Sequence, residues 1–261
     1  MGKLYRIYTE ALHDHFKVFY ANWPVGDLIK LGDYGIMDGK IFIREGNIEK
    51  DFKIKIGKIF DKTKDTYEFQ STDSVSVTFN AKGSIVNSIP LVKASIDIEF
   101  SAEQSVFFNS AGITHETIEN LAKIGSVIKK MHKEKKWPAK RVIISRLVHA
   151  ENTLIAVSGG QKSILSLEAD SDQIEKINLA DAGIALGVKK ESGIAFKIVN
   201  GTGYYPLLGI AGIKPARWYV PGEKDKWTPT MKLMLRSLDE SMVKVDSNKA
   251  EYDDEFIFGD I

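Results

Sequence analysis

The chain has 261 residues, 43% of them hydrophobic, a net charge of +1 and no cysteine. That is enough apolar material for one large domain or two small ones, and a balanced charge supplies no global field for nucleic acid. Without cysteine the chain has no disulfide, no thiolate metal site, no cysteine nucleophile and no acceptor for palmitate, and a reducing cytoplasm is its natural compartment.

The opening residues Met1 to Arg6 carry no apolar core of the signal-peptide kind. They also place Arg6 where the myristoylation pattern requires Ser or Thr. Residues 1–24 open with a short helix by pattern and hold His13 and His15. Alternating positions on a strand would present both rings to a metal, but no carboxylate–histidine group follows, so the expectation is a surface or core pair and no metal. His115, His132 and His149 are dispersed. In "LIKLGDYGIMDGKIFI" the glycines and the Asp38-Gly39 pair predict tight turns between short strands, and Lys53 to Phe60 alternates as a further strand.

Two long period-2 runs follow. Val75, Val77 and Phe79 alternate with Ser74, Ser76 and Thr78, and Ile96, Ile98 and Phe100 alternate with Ser95, Asp97 and Glu99. Two readings stay open: half-buried strands of a soluble sheet, or strands able to span a bilayer, which takes roughly 9–11 residues with alternating lipid and lumen faces. Val75 to Ala81 and Ser95 to Phe107 approach that length. The clearest helix is predicted from an N-cap at Thr114, with Glu116 and Glu119 in its first turns and Ile118, Leu121, Ile124, Ile128 and Met131 at helical spacing. Its basic end, Lys129, Lys130, Lys133, Lys135 and Lys136, is either a solvated terminus that suits the helix dipole or a surface for anionic lipid, worth about 1 kcal/mol per Lys or Arg. Nucleic acid is disfavoured because Trp137 alone interleaves an aromatic ring.

Strands return at "RVIISRLVHA" and "NTLIAVS", and "SGGQKS" (Ser158 to Ser163) reads as a hairpin turn, because Gln161 interrupts the phosphate-loop spacing. After a linker near "DSDQIEK" come two strands around the Lys190–Gly193 turn. "NGTGYY" lacks the third glycine of a dinucleotide fingerprint. The longest apolar stretch, Tyr204 to Ile213, is broken by Pro206, Gly209 and Gly212, whereas a spanning helix needs roughly 20 apolar residues. The chain is therefore expected to be made soluble. Thr228-Pro229 announces a C-terminal helix lined by Met231, Met234, Leu235, Leu238 and Met242. The last eleven residues hold five acids, no base, and Phe256, Ile257 and Phe258. No Gly-x-Ser-x-Gly elbow and no His-Glu-x-x-His appears, so no catalytic centre and no cofactor is expected. The pattern predicts an α+β fold, a twisted, mostly antiparallel central sheet with peripheral helices.

The order of these elements resembles the gasdermin pore-forming domain in its short bacterial form. The strand and glycine turn at "LIKLGDYGIMDG", the Ser/Thr-rich alternating strands, the basic-ended helix, "RVIISRLVHAENTLIAVSGGQKSILSLEA" and "DAGIALGVKKESGIAFKIVN" carry the likeness over roughly residues 5–215. It implies a body over 1–245 and a C-terminal linker and inhibitory tail over 246–261. Two regions, about 66–108 and 150–200, would rearrange into membrane-spanning hairpins. It further implies a partner protease that cuts near the tail, with Lys244 and Lys249 as candidate positions, and anionic membrane lipid as a partner. The released chains would form a homo-oligomer that moves from the cytoplasm to the inner membrane and kills an infected cell. Bacterial gasdermins typically carry an N-terminal cysteine that receives palmitate; this chain departs from them in having none. The alternative is a soluble β-rich binding or interaction protein.

Overall fold

A computed structural model describes residues 4–61, 63–86, 89–170, 186–215 and 256–260. Its spine is β9 (Arg141–Ser158), an 18-residue strand rich in Val, Ile and Leu. Such residues suit a pleated surface covered on both faces. Along one edge β9 pairs with β12 (Ile194–Pro215). Along the other it pairs first with β2 (Asp33–Asp38) and then with β8 (Val106–Ile118). β3 (Ile41–Asn47) closes a hairpin on β2 through Asp38-Gly39, as the turn signal predicts. β4 (Lys58–Phe60) and β5 (Asp65–Gln70) lie on the far edge of β8. β1 (Tyr20–Ala21) and β13 (Phe256–Asp260) share the outer edge of β12. A second sheet runs β11-β10-β7-β6, formed by Gly187–Ser192, Ser163–Asp170, Ile89–Phe100 and Val75–Val86. Every ladder among the described residues is antiparallel, and the fold is α+β.

Three apolar cores follow. One lies beneath helix α3 (Leu121–Lys133), where Ile124 and Ile128 meet Ile143, Ile144, Leu147 and Trp137. The Arg141 guanidinium caps this core, sitting 4.9 Å from the Tyr34 ring centroid and 5.1 Å from that of Trp137. A second lies beneath α1 (Leu4–Phe16), which buries Tyr8 and Leu12 against Phe108, Val148 and Ile155. The third fills the space between the two sheets. At the β2–β3 end the buried Asp33 carboxylate is fully satisfied. It accepts from Lys30 N at 2.9 Å and Asn47 Nδ2 at 2.8 Å, and pairs with Arg44 Nε at 2.9 Å. Asn47 also caps the short α2 (Ile48–Phe52), accepting from Glu49 N.

Four sequence expectations are corrected. The predicted helix start at Thr114 lies inside β8, where Thr114 pairs with His149 and Glu116 with Leu147. The helix begins only at Leu121. Ladders on both sides of 114–118 override helical spacing, and Asn120, at the cap position, spends its amide on Gly57 N and Lys55 O. Lys53 to Phe60 is strand only from Lys58, since α2 and a left-handed Lys53 precede it. Ser95 to Phe107 is not one strand, because β7 ends at Phe100 and β8 starts at Val106. Finally, "SGGQKS" is a turn but not a hairpin: β9 and β10, which it joins, belong to different sheets. The expected C-terminal helix and most of the "DSDQIEK" linker lie outside the described residues.

Ile155 is 0% exposed on β9, and Ile43 is 45% exposed on β3. Ile155→Ala is expected to cost about 2–5 kcal/mol through lost burial and the cavity left behind. Ile43→Ala should stay within about 0.5 kcal/mol. Urea denaturation midpoints at unchanged slope check both.

Candidate functional site

The second sheet carries the candidate strand residues. Ile96, Ile98 and Phe100 of β7 are buried between the sheets, against Phe107, Leu154 and Ala156 of the central sheet and beside Leu165 and Leu167 of β10. Val75 and Val77 of β6 are half-buried against the same core. Phe79 departs from them and is 48% exposed on β6, the sheet's edge strand. The opposite face is polar, with Ser76, Thr78 and Glu99 exposed and Asn80 Nδ2 donating to Asp97 Oδ2 at 3.0 Å. The sheet is thus an amphipathic layer whose apolar face has the central sheet as its solvent.

Four crossovers connect the layers: 71–74 between β5 and β6, 101–105 between β7 and β8, 159–162 between β9 and β10, and Gly193 between β11 and β12. Each contains one left-handed residue, namely Asp73 (φ 58), Gln104 (φ 64), Lys162 (φ 59) and Gly193 (φ 67). Three of these four carry a Cβ, for which this conformation costs roughly 1–2 kcal/mol. Gly193 has no substitute, because a Cβ there would come 2.6 Å from Ser163 Oγ.

Serines hold the crossovers in place. Ser105 N donates to Ser158 Oγ at 2.9 Å, and Ser158 N returns a bond to Ser105 O at 2.9 Å. Ser158 Oγ donates to Ala102 O at 2.8 Å, and Ser105 Oγ lies 2.9 Å from Ser74 Oγ. Val106 N donates to Ser71 Oγ at 2.9 Å. Ser163 Oγ lies 2.7 Å from both Gly160 O and Gly193 O. These bonds tie three crossovers, or their rims, to Ser158 and Ser163 at the end of β9 and the start of β10. The residues escape a motif search, but each crossover has a readable signal: Ser with Asp, Gln or Gly between two long alternating runs, as in "QSTDSV", "FSAEQSV", "VSGGQKS" and "ESGI".

The tail forms β13. Phe256, Ile257, Phe258, Gly259 and Asp260 pair in register with Pro215, Lys214, Ile213, Gly212 and Ala211. Phe258 packs into the core beneath α3. Ser145 Oγ donates to Asp260 Oδ1 at 3.2 Å. Of the basic candidates on and after α3, Lys129 is half-buried, while Lys130, Lys133, Lys135 and Lys136 are exposed. Lys136 Nζ is paired with Glu134 at 2.7 Å. The cleavage candidates Lys244 and Lys249, and the acids Glu251, Asp253, Asp254 and Glu255, lie outside the described residues.

The histidines take structural positions. His13 and His15 fall on the last turn of α1, not on a strand, so a two-residue spacing turns them apart. His13 stacks on Tyr20 at 4.3 Å between centroids, and His15 reaches Phe69 at 4.9 Å. Among the described residues no group of three His, Cys, Asp or Glu gathers as metal ligands, and no helix is long and apolar enough to cross a membrane. His115, on β8, places Nε2 3.0 Å from the Tyr67 hydroxyl and stacks on Phe19, while its Nδ1 is buried without a hydrogen-bond partner. Burial lowers its pKa below the ordinary 6.5, Arg146 adds to this, and Asp61 and Asp65 oppose it. Comparison with known proteins finds no matching family model and no matching curated protein.

Ser158→Ala leaves Ser105 N without its acceptor at a buried site, at an expected cost of about 1–3 kcal/mol. Gln104→Gly relieves a left-handed residue and is expected to stabilise by up to about 1 kcal/mol. Hydrogen exchange over 101–106 and 158–163 should speed up in the first variant and slow in the second. His115 gives a pH signature. Its folded pKa is depressed, so the unfolded chain takes up the proton first, and stability is lost as pH falls below about 6.5. His115→Gln should flatten that slope in urea titrations at a series of pH values.

Proposed function

We propose that this chain is an autoinhibited pore-forming protein of the gasdermin kind, activated by proteolytic release of its C-terminal tail. One observation carries the reading. Two strand pairs leave neighbouring ladders of the central sheet, fold back over it through strained, serine-lined crossovers, and bury one apolar face against it. Straightening the crossovers would run β5 into β6, β7 into β8, β9 into β10 and β11 into β12, giving two long hairpins over the expected 66–108 and 150–200. β6 and β7 have 12 residues each, against roughly 9–11 for a strand crossing a bilayer. Ile96, Ile98 and Phe100 would exchange the central sheet for lipid, and the Ser, Thr, Asp and Glu face would line water.

Geometry then imposes assembly. A pair of hairpins in lipid has open edges whose backbone groups find no water, so a bilayer tolerates it only when copies close into a ring. The exposed lysines 130, 133, 135 and 136 supply attraction to anionic lipid. The tail restrains the resting state by occupying the outer edge of β12 at residues 211–215, which have no other partner on that side among the described residues. The partners are an activating protease, anionic lipid of the inner membrane and further copies of the chain. The resting protein resides in the cytoplasm, and the role is death of an infected cell. No catalytic step is assigned to it.

The cysteine-free sequence permits a clean test. Gly212 and Gly259 are register partners, and such pairs hold Cα atoms about 4.5–5.5 Å apart, within disulfide reach. A chain with a protease site placed within 216–255 is expected to release dye from anionic liposomes only when cut. The Gly212→Cys, Gly259→Cys version should stay silent after cutting until reductant is added. Charge reversal at Lys129, Lys130 and Lys133 should weaken leakage most at low salt. If the cut chain leaks at no lipid composition, the soluble β-rich binding protein is the correct reading.

A further inference from the structure

We propose that the outer edge of β12 and a notch at Gly125 of α3 form a peptide-recognition groove that takes the tail of a second copy of this chain as well as its own. The inference does not rest on membrane activity. It concerns what the groove reads, and three features show that it reads the tail's local chemistry.

The first is main-chain pairing. Residues 211–215 of β12 pair with 256–260 and so receive any extended segment in antiparallel register. The second is an anchor pocket. A Cβ built at Gly125 would lie 2.7 Å from Phe258 Cδ1 and 3.0 Å from Phe258 Cβ and Cγ. Contacts that close mean the helix reaches the ring only because residue 125 has no side chain. A glycine inside a helix costs up to about 1 kcal/mol relative to alanine, and the notch is what the chain gains in return. The third is a polar stop. Ser145, 2% exposed, donates its hydroxyl to Asp260 Oδ1 at 3.2 Å. Gly259, between anchor and stop, has open space where a Cβ would be. The specificity lies in the spacing of Phe258 and Asp260.

None of these contacts involves chain continuity. The register partners Pro215 and Phe256 are separated by residues 216–255, 40 positions of sequence. Groove and ligand are therefore distant parts of the chain that recognise each other through the surface alone, and an identical tail from another molecule presents the same Phe-Gly-Asp segment. The occupant is a second copy's tail, whether still attached, giving a swapped dimer, or cut free, acting as an inhibitor in trans.

Fluorescence anisotropy tests the groove without membranes. The full chain, cut within 216–255 at an engineered site with both pieces present, is titrated against a labelled peptide of residues 255–261. Saturable binding displaced by unlabelled peptide is expected. A peptide with Phe258→Ala should bind at least about tenfold more weakly, because the anchor's burial is lost. The Gly125→Ala chain should lose the wild-type peptide to the same degree while its circular dichroism stays native, since alanine favours the helix. The uncut wild-type chain should bind the peptide weakly, its own tail holding the groove. Absence of saturable binding up to about 100 μM, a range in which a specific peptide site would fill, overturns the proposal. So does equal binding of the Phe258→Ala peptide or by the Gly125→Ala chain.

Discussion

The structure depends on the double pairing of β9. Its 18 residues are hydrogen-bonded to β12 along one edge and to β2 and β8 along the other. The strand also contributes to all three cores. Val142, Ile143, Ile144 and Leu147 enter the one under α3, Val148, Ala150, Ile155 and Val157 the one under α1, and Leu154 and Ala156 the one between the sheets. Period-2 alternation makes the last division necessary. Ile155 and Val157 point to one face, so Leu154 and Ala156 must point to the other. A strand apolar on both faces requires cover on both, and α1 on one side and the second sheet on the other provide it.

The second sheet is held by forces of two different kinds. Its apolar face contributes roughly 1.5–3 kcal/mol per fully buried large side chain, and that term is non-directional. The crossovers contribute directional serine bonds set against left-handed residues at Asp73, Gln104 and Lys162. The first term survives a change of apolar partner from protein to lipid, whereas the second exists only in the folded-back arrangement. Under the proposed function, a layer attached in this way would be stable at rest and would open at its four crossovers.

The tail joins the body through few residues. Five residues complete the edge of β12, one phenylalanine fills a notch, and one aspartate meets a buried serine. The anchor is reached by α3, the helix whose end also bears the exposed lysines. Tail occupancy and the basic surface thus share one element, and the tail's departure would alter the packing of the helix proposed to meet the membrane.

Local pattern determined which residues face inward and which outward. Ile96, Ile98 and Phe100 are buried and Ser76, Thr78 and Glu99 exposed as alternation requires, the Asp38-Gly39 turn joins β2 to β3, and the apolar "FIF" near the chain end places Phe258 in the core. Alternation is a property of neighbouring residues, so a sequence carries it directly. Tertiary structure decided what each face meets. Residues 114–118 have helical spacing on paper and are strand because β4 and β9 pair with them from both sides. Phe79 follows the apolar rhythm yet stays half exposed, on a strand paired along one edge only. The serine crossovers and the Gly125 notch bring together residues 30 to 133 positions apart in sequence. Which distant partner a turn or a glycine will meet is set by the pairing of whole strands, a many-body choice that no single stretch of sequence contains.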